Sequence, residues 1–167
     1  GYDLTDAVKM TITAVGSDNG ILCDGDNMLL HPAEEEKALF DTMRQEGVVV
    51  FDKPEDVDKF REVLFVNGKS NPALVGKDAP VIAKAAGFDI PESTKVIALK
   101  VSAVGSADIL NKEIMGPVVV TKGYDTFEEA VAMAIQNMTE SGGIGHTAGI
   151  FSNDEEHIRY YSEKIPV

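Results

Sequence analysis

Short apolar runs alternate with amphipathic segments along the whole chain, and this alternation limits the fold more than any other feature. Apolar runs bounded by Gly, Pro or Asp are typical of strands buried in a parallel sheet. The segments between them carry helix-start signals, such as Thr126 followed three residues later by Glu129. Repeated strand–helix units predict an α/β fold, a three-layer αβα sandwich with a mostly parallel sheet. The predicted strands span residues 28–30, 48–51, 73–75, 96–101, 118–121 and 148–151.

The length of 167 residues suits one domain with a proper core, so we expect a single domain over residues 1–167. A hydrophobic share of 44% and a charged share of 26% exclude a disordered or collagen-like chain. No apolar run approaches the roughly 20 residues of a membrane span. The predicted strand at 48–51 is continuously apolar, so we expect it to be buried on both faces.

Charge and cysteine content limit the partners and the compartment. The chain has 28 acidic and 15 basic residues, a formal charge of −13, which argues against nucleic acid or an anionic membrane as the main partner. Its single cysteine forbids an internal disulfide and fits a reducing compartment. We therefore expect a cytoplasmic location.

The single cysteine, Cys23, lies in a stretch that is built as a turn on both sides. Asn19-Gly20 precedes it and Asp24-Gly25 follows it, and both dipeptides accept left-handed backbone angles. A turn that presents a thiol suggests a nucleophile. Taken alone, however, a lone cysteine beside apolar residues is more often a small buried hydrophobe than a nucleophile.

Two further stretches go beyond a generic α/β domain. Glu113 precedes a Gly116-Pro117 turn that leads into a predicted strand, although an exposed Glu on a loop is the plainer interpretation. Residues 142–148 hold three glycines and His146, a candidate proton carrier, although a satisfied histidine after a helix end is an equal alternative. His31 and His157 are expected at the surface. The histidines and cysteine show no metal-ligand spacing, so no metal site is expected.

Together these stretches resemble the catalytic domain of the aldehyde dehydrogenase superfamily, and more narrowly its CoA-acylating branch. That branch includes acetaldehyde dehydrogenases (acetylating) and the N-terminal half of aldehyde-alcohol dehydrogenases. Residues 17–23 are similar to its Phe-Asp-Asn-Gly-x-x-Cys, and residues 113–118 to the Glu-Ile-Phe-Gly-Pro-Val of the superfamily. Residues 143–147 are similar to the Gly-Gly-Ile-Gly-His-Thr of the branch. Residues 66–76 and 85–91 resemble two further segments, so the likeness covers nearly the whole chain.

The resemblance implies an enzyme that interconverts an aldehyde and its acyl-CoA, with NAD or NADP and coenzyme A as cosubstrates and no metal. Cys23 is the implied nucleophile, which forms a thiohemiacetal and then a thioester, and its backbone N–H is expected to help bind the oxyanion. Because carboxylates oppose a thiolate, Asp24 and Asp26 are expected to point away. The other implied site residues are His146 for proton transfer, Glu113, Gly116 and Pro117 for the cofactor, and Asn19, Gly143, Gly145 and Thr147 for the substrate or CoA.

The family pattern also implies parts beyond residues 1–167, namely a cofactor-binding domain and a C-terminal oligomerisation segment. We therefore expect these residues to be inactive alone and the whole enzyme to be a homo-oligomer, with a bacterial microcompartment as an alternative location. Two rival functions stay open at this point. One is a hydrolytic, non-acylating aldehyde dehydrogenase, and the other is a noncatalytic domain with an inert Cys23.

Overall fold

The computed structural model describes residues 2–23 and 25–167. Its centre is a four-stranded, wholly parallel sheet in the order β1-β6-β5-β2, and a separate antiparallel hairpin joins β3 to β4. The strands are β1 (Met28–Pro32), β2 (Val49–Phe51), β3 (Phe65–Val66), β4 (Lys69–Ser70), β5 (Ile97–Lys100) and β6 (Val118–Tyr124). The helices are α1 (Leu4–Gly16), α2 (Glu36–Gln45), α3 (Pro54–Leu64), α4 (Ala79–Ala85), α5 (Phe127–Ser141) and α6 (Glu155–Lys164).

The sheet is covered on both faces, which confirms the predicted three-layer αβα fold. Side chains alternate along the central strands: Ile97 and Leu99 of β5 face one core cluster, and Ala98 faces the other. Helices α3 and α4 supply the first cluster, which includes Phe60. Helices α1 and α2 supply the second, which includes Met43.

Helix ends follow the sequence signals. Asp3 accepts a hydrogen bond from the Asp6 N–H at the start of α1, and Thr126 accepts one from the Glu129 N–H at the start of α5. Helix α5 ends at Gly142, whose φ of 89° is in the left-handed region that glycine tolerates. Both helices line the cleft described below, so their ends help to position its walls.

The structure corrects four local predictions. Strand β2 was expected to be buried on both faces, but it is half-buried. It lies at an edge of the described sheet, where β5 is its one neighbouring strand. Residues 73–75 form a turn, since the Asn71 side chain accepts from the Ala73 N–H and donates to the Val63 carbonyl oxygen. Residues 148–151 have no regular secondary structure and pair with no described strand. Pro32 ends β1, and a 3₁₀ turn at Ala33–Glu35 precedes α2.

Candidate active site

The segment that carries the cysteine, residues 17–27, is here called the cysteine loop. It leaves α1 through a 3₁₀ turn at Ser17–Gly20, in which three successive residues take positive φ angles: Asp18 at 47°, Asn19 at 54° and Gly20 at 71°. Asn and Asp tolerate this conformation better than most residues, which is why the sequence turns here. Cys23 follows on the outside of the loop as an exposed free thiol.

Two asparagine side chains tie the cysteine loop down, one on each side of Cys23. The Asn19 amide donates to the Gly76 carbonyl oxygen at 3.2 Å and to Asp78 Oδ1 at 2.8 Å. The Asn27 amide donates to the Lys112 carbonyl oxygen at 3.1 Å. The backbone around the thiol is therefore held by contacts with two distant parts of the chain.

The loop also packs directly on the segment that contains Glu113. A Cβ atom added to Gly20 would overlap the Gly116 carbonyl group and would lie 2.9 Å from the Pro117 nitrogen. A side chain is excluded at position 20 because the two backbones touch. This contact brings together two stretches that are more than 90 residues apart in sequence.

Glu113 begins a tightly turned segment, residues 113–117. Its carbonyl oxygen accepts from the Ser70 hydroxyl at 3.2 Å, and the Met115 carbonyl oxygen accepts from the Gly76 N–H at 2.9 Å. Met115 takes a φ of 54°, an uncommon conformation for a residue with a side chain. The Glu113 side chain is exposed and has no hydrogen-bond or ion-pair partner among the described residues.

The glycine segment, residues 142–147, follows α5. The Gly143 N–H donates to the Met138 carbonyl oxygen at 2.8 Å, and the His146 N–H donates to the Gly143 carbonyl oxygen at 3.0 Å. The Gly145 N–H donates to the Pro166 carbonyl oxygen at 3.2 Å, which ties the segment to the residues after α6. The His146 side chain is exposed.

One cleft of about 790 Å³ joins these three segments. Its walls come from α1, β1, α5 and residues 148–151, and they are largely apolar. The expected site residues that line it are Cys23, Glu113, Gly116, Gly143, His146 and Thr147. A shared apolar cleft with a few polar groups is the usual form of a small-molecule site.

Three expected site residues do not line the cleft. Pro117 is buried behind it, where its carbonyl oxygen accepts from the Ile97 N–H at 2.9 Å. Asn19 spends its amide on the loop contacts described above, and Gly145 lies to the side of the cleft. These three residues support the site's backbone.

Two side chains of the cleft wall were not foreseen from the sequence. His31 is 3% exposed, which corrects its predicted surface position. Its ring meets the edge of Phe40, and burial lowers the pKa of His31. Tyr161 of α6 also lines the cleft, and burial followed by the charge of Asp26 raises the pKa of its hydroxyl. Neither residue sits in a recognisable motif, so their positions follow only from the assembled fold.

The acidic neighbours of Cys23 were predicted to point away from it. Asp24 lies outside the described residues, and Asp26 acts electrostatically on Tyr161 across the cleft wall. Within residues 2–23 and 25–167, no group of three or more His, Cys, Asp and Glu side chains is arranged to hold a metal ion. No helix in the same residues has the length and apolar character needed to cross a membrane.

Comparison with known proteins relates this chain to one protein family. The sequence profile of the Aldehyde dehydrogenase family matches residues 99–167. Succinate-semialdehyde dehydrogenase (acetylating) of Clostridium kluyveri is 42% identical over all 167 residues, which span 37% of that relative's length. An acetylating aldehyde dehydrogenase from Geobacillus thermoglucosidasius superimposes with a TM-score of 0.92 at 28% identity, over 99% of this chain and 36% of that one.

A third comparison concerns the fold alone. A propionaldehyde dehydrogenase from Rhodopseudomonas palustris, solved with bound propionyl-CoA, superimposes with a TM-score of 0.85 at 18% identity over 97% of this chain and 35% of that one. The family match, the acetylating relative in sequence and the acetylating neighbour in structure all indicate the same family. Residues 99–167 thus match the aldehyde dehydrogenase family, and the whole chain is similar in sequence and fold to acetylating aldehyde dehydrogenases.

Proposed function

We propose that residues 1–167 are the cysteine-bearing catalytic domain of an NAD(P)-dependent, CoA-acylating aldehyde dehydrogenase. One observation carries the proposal: Cys23, Glu113 and His146, separated widely in sequence, line the same cleft. The relative of 42% identity has an acetylating activity by name, which favours coenzyme A over water as the acyl acceptor. The cofactor-binding domain and the oligomerisation segment of a homo-oligomer belong to other parts of the longer polypeptide.

Cys23 is the nucleophile of this reaction. Its Sγ adds to the aldehyde carbonyl carbon, and the carbonyl oxygen takes a proton to give a thiohemiacetal on Cys23. Loss of a hydride from that carbon, together with the proton from the hydroxyl oxygen, leaves a thioester on the same sulfur. The CoA thiol then attacks the thioester, so the acyl group passes to CoA and Cys23 is released. An exposed thiol on an anchored loop suits attack on a substrate that enters from the cleft.

NAD or NADP, when bound, supplies the hydride acceptor for the oxidation step. The Glu113 side chain fits a role at the ribose, because its carboxylate is exposed at the cleft and has no partner among the described residues. Two carboxylate oxygens can accept hydrogen bonds from two sugar hydroxyls. Gly116 contributes its backbone to the same cleft and is packed against Gly20.

The glycine segment serves the CoA end of the site in this proposal. Gly143 and Thr147 line the cleft on either side of His146, and glycine lets a ligand come close to the backbone. His146 is exposed at the same wall, and in this proposal it takes the proton from the CoA thiol. Replacing His146 by Ala should therefore slow CoA-dependent turnover more than it slows acylation of Cys23.

The test uses the longest open reading frame that contains these 167 residues. The purified product is supplied with succinate semialdehyde, acetaldehyde or propionaldehyde, with NAD or NADP, and with or without CoA. We expect CoA-dependent formation of the reduced cofactor and of acyl-CoA, both abolished by Cys23→Ala. Release of free acid without CoA would favour a hydrolytic enzyme, and unchanged activity of Cys23→Ala would overturn the proposal.

A further inference from the structure

Asp78 lies outside every motif of the site, yet its carboxylate is bonded to the cysteine loop. The Asn19 amide donates to Asp78 Oδ1 at 2.8 Å, across 59 residues of sequence. We infer that Asp78 is a positioning residue for Cys23, acting through Asn19. The inference rests on the proposed function, because it concerns the placement of the proposed nucleophile. The inference also changes the role of Asn19, which was expected to contact the substrate or CoA and is here assigned to support the cysteine loop.

The cysteine loop needs external support because its backbone is unfavourable on its own. Asp18 and Asn19 both take left-handed angles, which non-glycine residues hold only where surrounding contacts fix them. A hydrogen bond to a carboxylate is stronger than one between neutral groups, so the Asn19–Asp78 contact is well suited to hold this turn. Cys23 follows Asn19 by four residues, so the contact acts on the loop rather than on the thiol itself.

The Asp78 carboxylate makes no other hydrogen bond or ion pair among the described residues that would explain its position. It is the residue before α4, but its side chain makes no capping hydrogen bond to that helix. Asn19 is its hydrogen-bond partner among the described residues, and Asp78 forms no ion pair there. The carboxylate therefore serves the cysteine loop and nothing else that the described structure contains.

The turn that holds Asp78 is itself fixed to the segment of Glu113. The Gly76 N–H donates to the Met115 carbonyl oxygen at 2.9 Å. The Ile21 side chain covers Gly76 so closely that a Cβ atom at position 76 would lie 2.6 Å from Ile21 Cδ1. Asp78 thus sets the cysteine loop relative to the Glu113 segment, and with it the spacing between nucleophile and cofactor residue.

The first measurement is hydrogen–deuterium exchange of residues 17–23, with residues 142–147 as an internal reference. Asp78→Ala and Asn19→Ala should each speed exchange of the cysteine loop by at least tenfold, and the double variant should add little. Asp78→Asn keeps an acceptor oxygen and should stay within about threefold of the parent chain. Asp89→Ala is the matched control, because it removes one exposed carboxylate that pairs with Lys84 instead of the cysteine loop.

The second measurement reports on Cys23. Acetylation of its thiol by phenyl thioacetate requires a defined approach, whereas alkylation by iodoacetamide requires only exposure. We expect Asp78→Ala to lower the acetylation rate constant at least fivefold relative to alkylation, with recovery in Asp78→Asn. A residue that merely stabilised the fold would change the melting temperature and leave this ratio unaltered.

The outcomes separate the inference from the proposed function. Unchanged loop exchange in Asp78→Ala, or an equal change in Asp89→Ala, overturns the positioning role whatever the enzyme does. A constant acetylation-to-alkylation ratio overturns it as well. In the remaining case, the exchange and ratio results hold while Cys23→Ala keeps full CoA-dependent activity in the longer polypeptide. The proposed function then fails, and the Asn19–Asp78 contact has no role in catalysis.

Discussion

At the scale of single residues, Gly20 is the position where the fold tolerates least change. It combines a φ of 71° with backbone contact to Gly116, so any side chain suffers both strain and overlap. We expect Gly20→Ala to lower the free energy of unfolding by about 3 kcal/mol, the sum of left-handed strain and overpacking. Urea denaturation followed by circular dichroism measures this loss.

Gly47→Ala is the control for the strain alone. Gly47 has a φ of 85° and open space where a Cβ would lie, so its replacement should cost only about 1 kcal/mol. Equal losses at the two positions would show that the contact between Gly20 and Gly116 contributes nothing to stability.

His31 makes the stability of the chain depend on acidity. Burial lowers its pKa in the folded state, so the unfolded state binds the proton first as the pH falls. Stability is therefore complete above the unfolded value of about 6.5 and is lost as the pH drops below it. Denaturant midpoints between pH 7.5 and about pH 5 measure the slope.

The matched variants for His31 are His31→Leu and His157→Leu. His31→Leu should flatten the slope, because the buried group no longer titrates. His157→Leu, at an exposed position of α6, is the control for the loss of a histidine elsewhere in the chain. A slope that survives in His31→Leu would assign the pH dependence to other groups.

Turn residues and glycines marked the stretches around Cys23, Glu113 and His146 as candidates, and the resemblance to the CoA-acylating branch then favoured them over the plainer interpretations. Sequence reasoning could not find the burial of His31. That burial depends on Phe40 and on Gly123, which come from α2 and β6 and meet the ring only in the folded chain. Asp78 escaped notice for the same reason, since its partner Asn19 is distant in sequence.

At the scale of elements, the strands of the parallel sheet were predictable where a short apolar run is bounded by turn or helix signals. Residues 97–100 and 118–124 are central strands, and each begins with a continuous apolar run that is visible in the sequence. Residues 148–151 are equally apolar but have no ladder in the described structure, since a strand needs a partner that local sequence does not show. The strand prediction at residues 73–75 was wrong because the Asn71 side chain accepts a hydrogen bond from the Ala73 N–H and stabilises a turn.

One buried ion pair joins two elements that local sequence would not connect. Arg61 of α3 donates to both carboxylate oxygens of Asp108, at 2.9 Å and 2.5 Å, and Asp108 is 7% exposed. Arg61→Met should lower the free energy of unfolding by about 3 kcal/mol, because it leaves a buried carboxylate without its partner. Thermal and urea unfolding both measure the change.

Arg44 is the control for that ion pair. It pairs with Asp41 and Asp52 at the surface, where solvent screens the charges, so Arg44→Met should cost no more than about 1 kcal/mol. Similar losses for the two arginines would mean that burial of Asp108 adds nothing to the pair.

At the scale of the whole molecule, the cleft begins at an unusual end of the sheet. Ligands of open α/β sheets commonly bind beyond the carboxyl ends of the strands. Here Cys23 precedes β1 and Glu113 precedes β6, and these two strands are parallel neighbours. The two loops meet at the amino ends for that reason, and the cleft then runs along the free edge of β1.

The net charge of −13 gives a last prediction for the molecule as a whole. Like charges repel more strongly in the compact state than in the unfolded chain, so screening should stabilise the fold. We expect the melting temperature to rise by about 2–4 °C, which corresponds to roughly 1 kcal/mol for a chain of this size, between about 0.05 M and 0.5 M NaCl. Chloride is used because sulfate would stabilise any protein by exclusion from its surface.

Glu92→Lys, at an exposed position, changes the net charge from −13 by +2 to −11 and should reduce the salt response. A melting temperature that falls with NaCl in both proteins would mean that surface ion pairs, such as Lys84–Asp89, outweigh the repulsion.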